Sequence, residues 1–136
     1  MSKEEEVFSR LIRLAQTLRG DGGCPWDRAQ DPASLSKYVL SEAGELREAA
    51  CAGDADHVRE ELGDALFTLL SMAVLAEENG DFSLTDALEE VEAKIVRRHP
   101  HVFGDASAET VEEACTHWKE AKKSEKRRTR KRNGPK

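Results

Sequence analysis

Apolar residues recur at helical spacing along almost the whole chain, and capping and stop signals cut that pattern into five segments. Ser2 with Glu5 forms a capping box, after which Phe8, Leu11, Ile12, Ala15 and Leu18 carry one apolar stripe as far as Arg19. Gly20-Asp21-Gly22-Gly23 stops this helix, and Cys24-Pro25-Trp26-Asp27 reads as loop. Asp31 caps a second helix with Pro32 in its first turn, where a missing N–H is harmless. Tyr38, Val39, Ala43, Leu46 and Ala50 form its apolar face, and Gly53 lies near its end. A third and longer helix is expected from Asp54 or Asp56 to Asn79-Gly80. Its second half, Ala65 to Ala76, is apolar on most faces, which predicts burial in a bundle centre or at a subunit interface. Ser83 with Asp86 opens a fourth helix through Leu84, Leu88, Val91 and Ile95, ending at His99-Pro100. Thr110 with Glu113 opens the last, bearing Val111, Ala114, Cys115 and Trp118. With no strand alternation, the expected architecture is all-α, a four- to five-helix bundle completed by dimerisation.

At 136 residues the chain has the size of one domain. It lacks an apolar run of about 18 residues and a basic-then-apolar leader, so neither a membrane span nor a secretory signal is expected. Cys24, Cys51 and Cys115 are odd in number and scattered, which suits a reducing cytoplasm better than a disulfide framework or a zinc site. The net charge of −6 conceals a segregation: residues 122–136 carry +8, and residues 1–121 carry −14. A catalytic body over 1–121 and a disordered basic tail over 122–136 are therefore expected. An acidic body excludes a basic nucleic-acid-binding face there and fits a protein that gathers divalent cations.

Within that body, Glu42 and Glu45 form one acidic pair at a spacing of three, and Glu61 and Asp64 form another. Residues three apart share a helix face. Two antiparallel helices can thus bring four carboxylates around one aqueous pocket, where like charges demand a cation. Oxygen-only ligands point to Mg²⁺, with Mn²⁺ as a substitute, rather than to the Glu-x-x-His pairs of a di-iron bundle. His57 lies four residues before Glu61 and can reach the same face. Each pair is embedded among apolar residues, and Gly44 and Gly63 lie between the acids of each pair. Glycine inside a helix costs about 1 kcal/mol against Ala. Its presence here suggests close approach of a ligand or backbone, or tight helix packing. A solvated acidic face is the ordinary alternative for the acids.

These residues resemble the hallmark of the MazG family of nucleoside triphosphate pyrophosphohydrolases, within the all-α NTP pyrophosphatase superfamily. Its E-E-x-x-E, then E-x-x-D, pattern is matched by Ser41-Glu42-Ala43-Gly44-Glu45 and Glu61-Leu62-Gly63-Asp64. Ser41 replaces the first Glu, which is not among the four metal-binding positions of the pattern. Gly23 to Gln30 looks like the family's G-C-P-W-D-x-x-Q segment, and Lys94 to Phe103 like K-x-x-R-R-H-P-H-V-F. Trp118 to Lys122 resembles its late W-x-x-x-K element, so the resemblance runs over residues 7–122. It implies that Lys94, Arg98 and Lys122 meet the triphosphate and that Trp118 lies near the nucleotide. Lys94 and Arg98, four apart, can share a helix face, and an indole can stack on any base. The ordinary readings are macrodipole compensation for Arg98 and core packing for Trp118. Trp26 either pins its loop on the core or walls the nucleotide pocket.

The resulting expectation is Mg²⁺-dependent hydrolysis of NTP or dNTP to the monophosphate and pyrophosphate, in nucleotide-pool house-cleaning. Glu45, Glu61 and Asp64 would hold Mg²⁺, while Glu42 would share a metal and orient or deprotonate the attacking water. A homodimer or dimer of dimers is the expected assembly. The alternatives are an enzyme narrowed to one nucleotide, such as dUTP or dCTP, and a non-catalytic helical module whose basic tail binds nucleic acid or acidic partners.

Overall fold

A computed structural model describes the backbone of residues 1–133 and the side chains of residues 1–129. Among the described residues the regular elements are all helices, without strands, so the expected all-α class holds. The helices are α1 (Lys3–Arg19), α2 (Pro25–Arg28), α3 (Pro32–Ala52), α4 (Ala55–Glu78), α5 (Leu84–Arg98), α6 (Pro100–Phe103) and α7 (Val111–Asn133). No helix among the described residues is long and apolar enough to cross a membrane. The expected single body divides into two compact units, Met1–Leu84 and Thr85–Lys136.

The first unit is organised by the α3–α4 hairpin, with α1 laid against α4. Asp31 caps α3 by accepting from the Ser34 amide at 2.7 Å, and Ser34 Oγ accepts from the Asp31 amide in return. Gly53 ends α3 with φ 72°, a left-handed conformation that favours glycine, and Asp54 at once caps α4. A link this short forces the two helices to run antiparallel side by side. The core of this unit is made of small and aliphatic residues from α1, α3 and α4: Ala15, Ala49, Ala73 and Ala76 are buried with Leu35, Leu70, Val74 and Leu75. The end of α4 is the buried segment, as its apolar pattern predicts.

Cys24-Pro25-Trp26-Asp27, expected as loop, instead starts a single helical turn, α2. Pro25 presets φ at the first position, and the Arg28 and Ala29 amides close the turn on Cys24 and Pro25 carbonyls. A clasp holds this turn down. Arg19, its side chain only 8% exposed, pairs with Glu78 at 3.0 Å and donates to the Asp27 carbonyl. Gly23 lets the chain pass α1 closely, since a Cβ there would lie 2.3 Å from the Leu18 carbonyl oxygen.

In the second unit α6 is a further short helix that the sequence pattern did not announce; Pro100 again occupies its first turn. Thr110 Oγ1 accepts from the Glu113 amide and opens α7 as expected. The segment expected to be a disordered tail from residue 122 is, as far as Asn133, the unbroken second half of α7; residues 134–136 lie outside the described residues. Helix continues because Lys, Arg, Glu and Ala are good helix formers and neither Gly nor Pro interrupts them before residue 134. Glu125 ties this half to α5, pairing with Arg97 and Arg98 at 2.8 Å each.

No apolar side chain among the described residues of the second unit is fully buried. The stripe Leu88, Val91 and Ile95 on α5 stays nearly half exposed. In the first unit Leu40 and Leu62 are 76% and 54% exposed.

The Arg97–Glu125–Arg98 cluster makes stability depend on acid. The two guanidiniums hold the Glu125 carboxyl down at about 2, the Arg98 hydrogen bond contributing most. A depressed carboxylate stabilises the fold fully above its ordinary value of 4.5 and stops doing so as pH falls towards 2. Glu125→Gln should therefore lower stability at neutral pH by about 1.5–3 kcal/mol, and the gap to wild type should close on acidification. Thermal melts followed by circular dichroism from neutral pH to pH 2 test this; a gap that ignores pH would count against it.

Candidate functional site

The α3–α4 hairpin sets the register of its acids about Gly53. Glu45 and Glu61 lie eight residues on either side of it, and Glu42 and Asp64 eleven. At 1.5 Å rise per residue, the inner pair stands about 12 Å and the outer pair about 16 Å above the turn. Equal heights on adjacent antiparallel helices place the acids opposite one another. Carboxylate oxygens of Glu42, Glu45 and Glu61 accordingly lie within 4.8 Å of one another. Those of Glu60, Glu61 and Asp64 do so too.

Electrostatics follow from this crowding. Burial first, then the charges of Glu45 and Asp64, push the Glu42 carboxyl above its usual range. Burial and its contact with Glu45 do the same for Glu61. Glu42 Oε2 and Glu61 Oε2 are both buried without a hydrogen-bond donor. Acceptors stripped of water and given no donor are costly, and a divalent cation is the partner such a set fits. Beside the cluster an open cavity of about 440 Å³ is lined by Glu45, Glu48, His57, Glu60 and Glu61 over Ala49 and Ala52. Its size is that of a small-ligand site.

The other expected contact residues take their surroundings from within their own units. Trp26 stands edge-on to Tyr38 with ring centroids 5.0 Å apart, and Tyr38 lies one helical turn before Glu42 on α3. In the second unit Trp118 is flanked by Arg98, whose guanidinium carbon is 5.3 Å from the ring centroid, and by Lys122 Nζ at 4.6 Å. Cations this close to an indole face make favourable cation–π contacts. Lys94 lines a separate hollow with Glu90, Arg97 and Glu125.

The MazG nucleotide pyrophosphohydrolase domain model matches residues 30–103, which contain both acidic pairs and the Lys94–Phe103 segment. The chain belongs to the MazG family. This MazG chain is 41% identical over 120 residues to the nucleoside triphosphate pyrophosphohydrolase of Escherichia coli, covering 88% of itself and 46% of that protein. It is 38% identical to the nucleoside triphosphate pyrophosphohydrolase/pyrophosphatase MazG of Thermotoga maritima, with the same coverage of 88% and 46%. It is also 41% identical to the uncharacterized YabN of Bacillus subtilis, covering 91% of itself and 26% of that protein. The chain thus spans about half, or less, of the curated relatives it matches. The crystal structure of a MazG-related protein from Thermotoga maritima superposes with a TM-score of 0.71 at 33% identity, covering 85% of this chain and 98% of that one.

Motif reasoning passed over Glu60 and Glu48. Neither belongs to the two acidic pairs, although Glu48 stands three residues after Glu45 and Glu60 four before Asp64; Glu60 belongs to the second oxygen cluster of the MazG hairpin and both line the cavity. His57, considered from its spacing alone, lines the cavity and pairs with Asp54 at 3.2 Å. The helical glycines are a further finding. A Cβ at Gly44 or Gly63 would meet nothing within 4 Å, so packing within the chain does not require either.

The raised Glu42 and Glu61 carboxyls give a linkage of opposite sign to that of Glu125. Above the ordinary 4.5 the folded state holds protons that the unfolded chain has lost, so without metal stability falls as pH rises. A divalent cation that replaces those protons should stabilise the fold by about 2.7 kcal/mol in all when present at a hundredfold excess over its Kd, and the same metal concentration should stabilise more at pH 8 than at pH 5. Differential scanning fluorimetry with and without Mg²⁺ across this range checks it; an identical shift at every pH would contradict it.

Proposed function

We propose that this MazG chain is a nucleoside triphosphate pyrophosphohydrolase that converts NTP or dNTP and water to the monophosphate and pyrophosphate. The observation that carries the reading is the convergence of Glu42, Glu45 and Glu61 oxygens from two helices, with two of those oxygens buried and lacking donors. The names of the Escherichia coli and Thermotoga maritima relatives support it. Glu42, Glu45, Glu61 and Asp64 would hold Mg²⁺, or Mn²⁺ in its place. Bound there, the ion supplies charge neutralisation for phosphate oxygens and acidifies bound water.

The protein's own share of the work is positioning and proton handling. A water aligned opposite the α–β bridging oxygen forms its bond to the α-phosphorus while the bond to that bridging oxygen breaks. Glu42, whose carboxyl favours the proton more than an ordinary glutamate, is suited to take the proton the water loses. Lys94, Arg98 and Lys122 are assigned to the phosphates, where fixed cations offset the charge of departing pyrophosphate. Trp118 and Trp26 are assigned to the nucleotide. Arg98 also carries an ion pair to Glu125 and leans on Trp118, which would hold its guanidinium in a set orientation. Gly44 and Gly63 leave open space beside the acids, as an incoming ion or phosphate would require.

We assign the reaction to the cytoplasm, in keeping with three free cysteines, and to the clearance of unwanted nucleotides. Replacing Glu61 or Asp64 with Ala should lower pyrophosphate release by at least about 10²-fold with helical content unchanged. Near-wild-type turnover of every NTP and dNTP by either variant would refute the site. The exposed Leu40, Leu62 and α5 stripe are assigned to contact with a second copy, as a homodimer or dimer of dimers. Sedimentation should give a mass above 15.1 kDa that depends on concentration, and a micromolar monomer would exclude it.

A further inference from the structure

Lys122 apart, the second half of α7 gathers cations without a function in the hydrolase reading. From Lys122 to Asn133 it carries eight Lys or Arg and one acid, Glu125. That acid is turned away from solvent into its pairs with Arg97 and Arg98. At about 100° per residue, Lys122, Lys123, Lys126, Arg127, Arg130 and Lys131 fall by backbone register within one half of the helix circumference. Ala121, Ser124 and Glu125, partly buried, occupy the opposite arc, which also carries the exposed Arg128. Lys123, Lys126, Arg127 and Arg128 are exposed, and Lys123 stands 3.8 Å from Glu120.

We propose that this face of α7 binds the phosphodiester backbone of duplex DNA without sequence preference. Three observations choose that partner. Between Lys119 and Asn133 the sole apolar residue is Ala121, so nothing is available to insert into a lipid surface, which a membrane-bound helix requires. The same stretch contains no aromatic residue, so it offers no platform for stacking unpaired bases, as single-strand binders do. A regular cationic helix fits the wide groove of B-form DNA, whereas the deep, narrow groove of duplex RNA does not admit one. The net charge of −14 on residues 1–121 repels a polyanion and confines the contact to this helix.

The test is fluorescence anisotropy of the full chain with labelled DNA duplex of about 20 base pairs, single-stranded RNA and duplex RNA, alongside flotation with phosphatidylserine vesicles. A face meeting four phosphates should lose about 10²-fold in affinity for duplex DNA between about 50 and 200 mM salt. The combined variant Lys123→Gln, Arg127→Gln, Arg130→Gln and Lys131→Gln keeps good helix formers. It should bind at least about tenfold more weakly at low salt, with a shallower salt slope. Its circular dichroism and its pyrophosphate release should match wild type, so failure of the hydrolase reading and failure of this one read out separately. The proposal is overturned if duplex DNA does not bind, or if the variant binds it equally. It is also overturned by tighter binding to RNA or vesicles, or by a substitution that changes self-association without changing DNA affinity.

Discussion

Like charges opposed across an antiparallel hairpin are the constraint from which most of this molecule follows. A left-handed Gly53 and a capping Asp54 leave α3 and α4 no freedom but to lie side by side. Two acids on each helix, at matching heights, then have to share one small volume. Their mutual repulsion and desolvation oppose folding, and the buried apolar core shared by α1, α3 and α4 holds the hairpin together regardless. The strain is local and chemically specific. It concentrates on Glu42 and Glu61, each with a buried carboxylate oxygen that lacks a donor, and a divalent cation bound there would relieve it.

The parts of the fold written in local chemistry were legible from residues alone. Ser2 with Glu5, Asp31 with Pro32, Asp54 and Thr110 each mark a helix start at the residue where one is found. The acidic pairs were legible because a spacing of three has one meaning on a helix. What escaped was decided by context. Pro25 and Pro100 each seed a single turn, and so short a turn leaves no periodic trace. The basic stretch after Lys122 looks disordered by charge alone, but its continuity with α7 and the Glu125 pairs keep it helical to Asn133. Glu60 was missed because only acids three apart were paired, although Glu60 and Asp64 stand four apart, a spacing that also shares a helix face.

The second unit distributes its charge differently from the first. Where α3 and α4 leave acids without donors, α5 and α7 answer each acid they bring inward: Glu125 receives two arginines. Arg98 then serves two neighbours at once, a carboxylate and the Trp118 ring, and Lys122 shares that ring. Such shared contacts limit the orientations open to long side chains, which lowers the entropy lost when an anion is met. The absence of a fully buried apolar residue among the described part of this unit means that shape here rests on polar clasps and helix propensity. Mutations of surface charge should consequently matter more in the second unit than in the first.

The central position of Gly53 also limits how this segment can vary in length. Inserting one residue at the turn would rotate one helix by about 100° relative to its partner and slide it by about 1.5 Å, so Glu61 and Asp64 would face away from Glu42 and Glu45. A whole additional turn would restore the facing yet leave the oxygens at unequal heights. The fifteen residues between Glu45 and Glu61 thus behave as a ruler of fixed size, while the links around Phe82 and Asp105 face no such restriction.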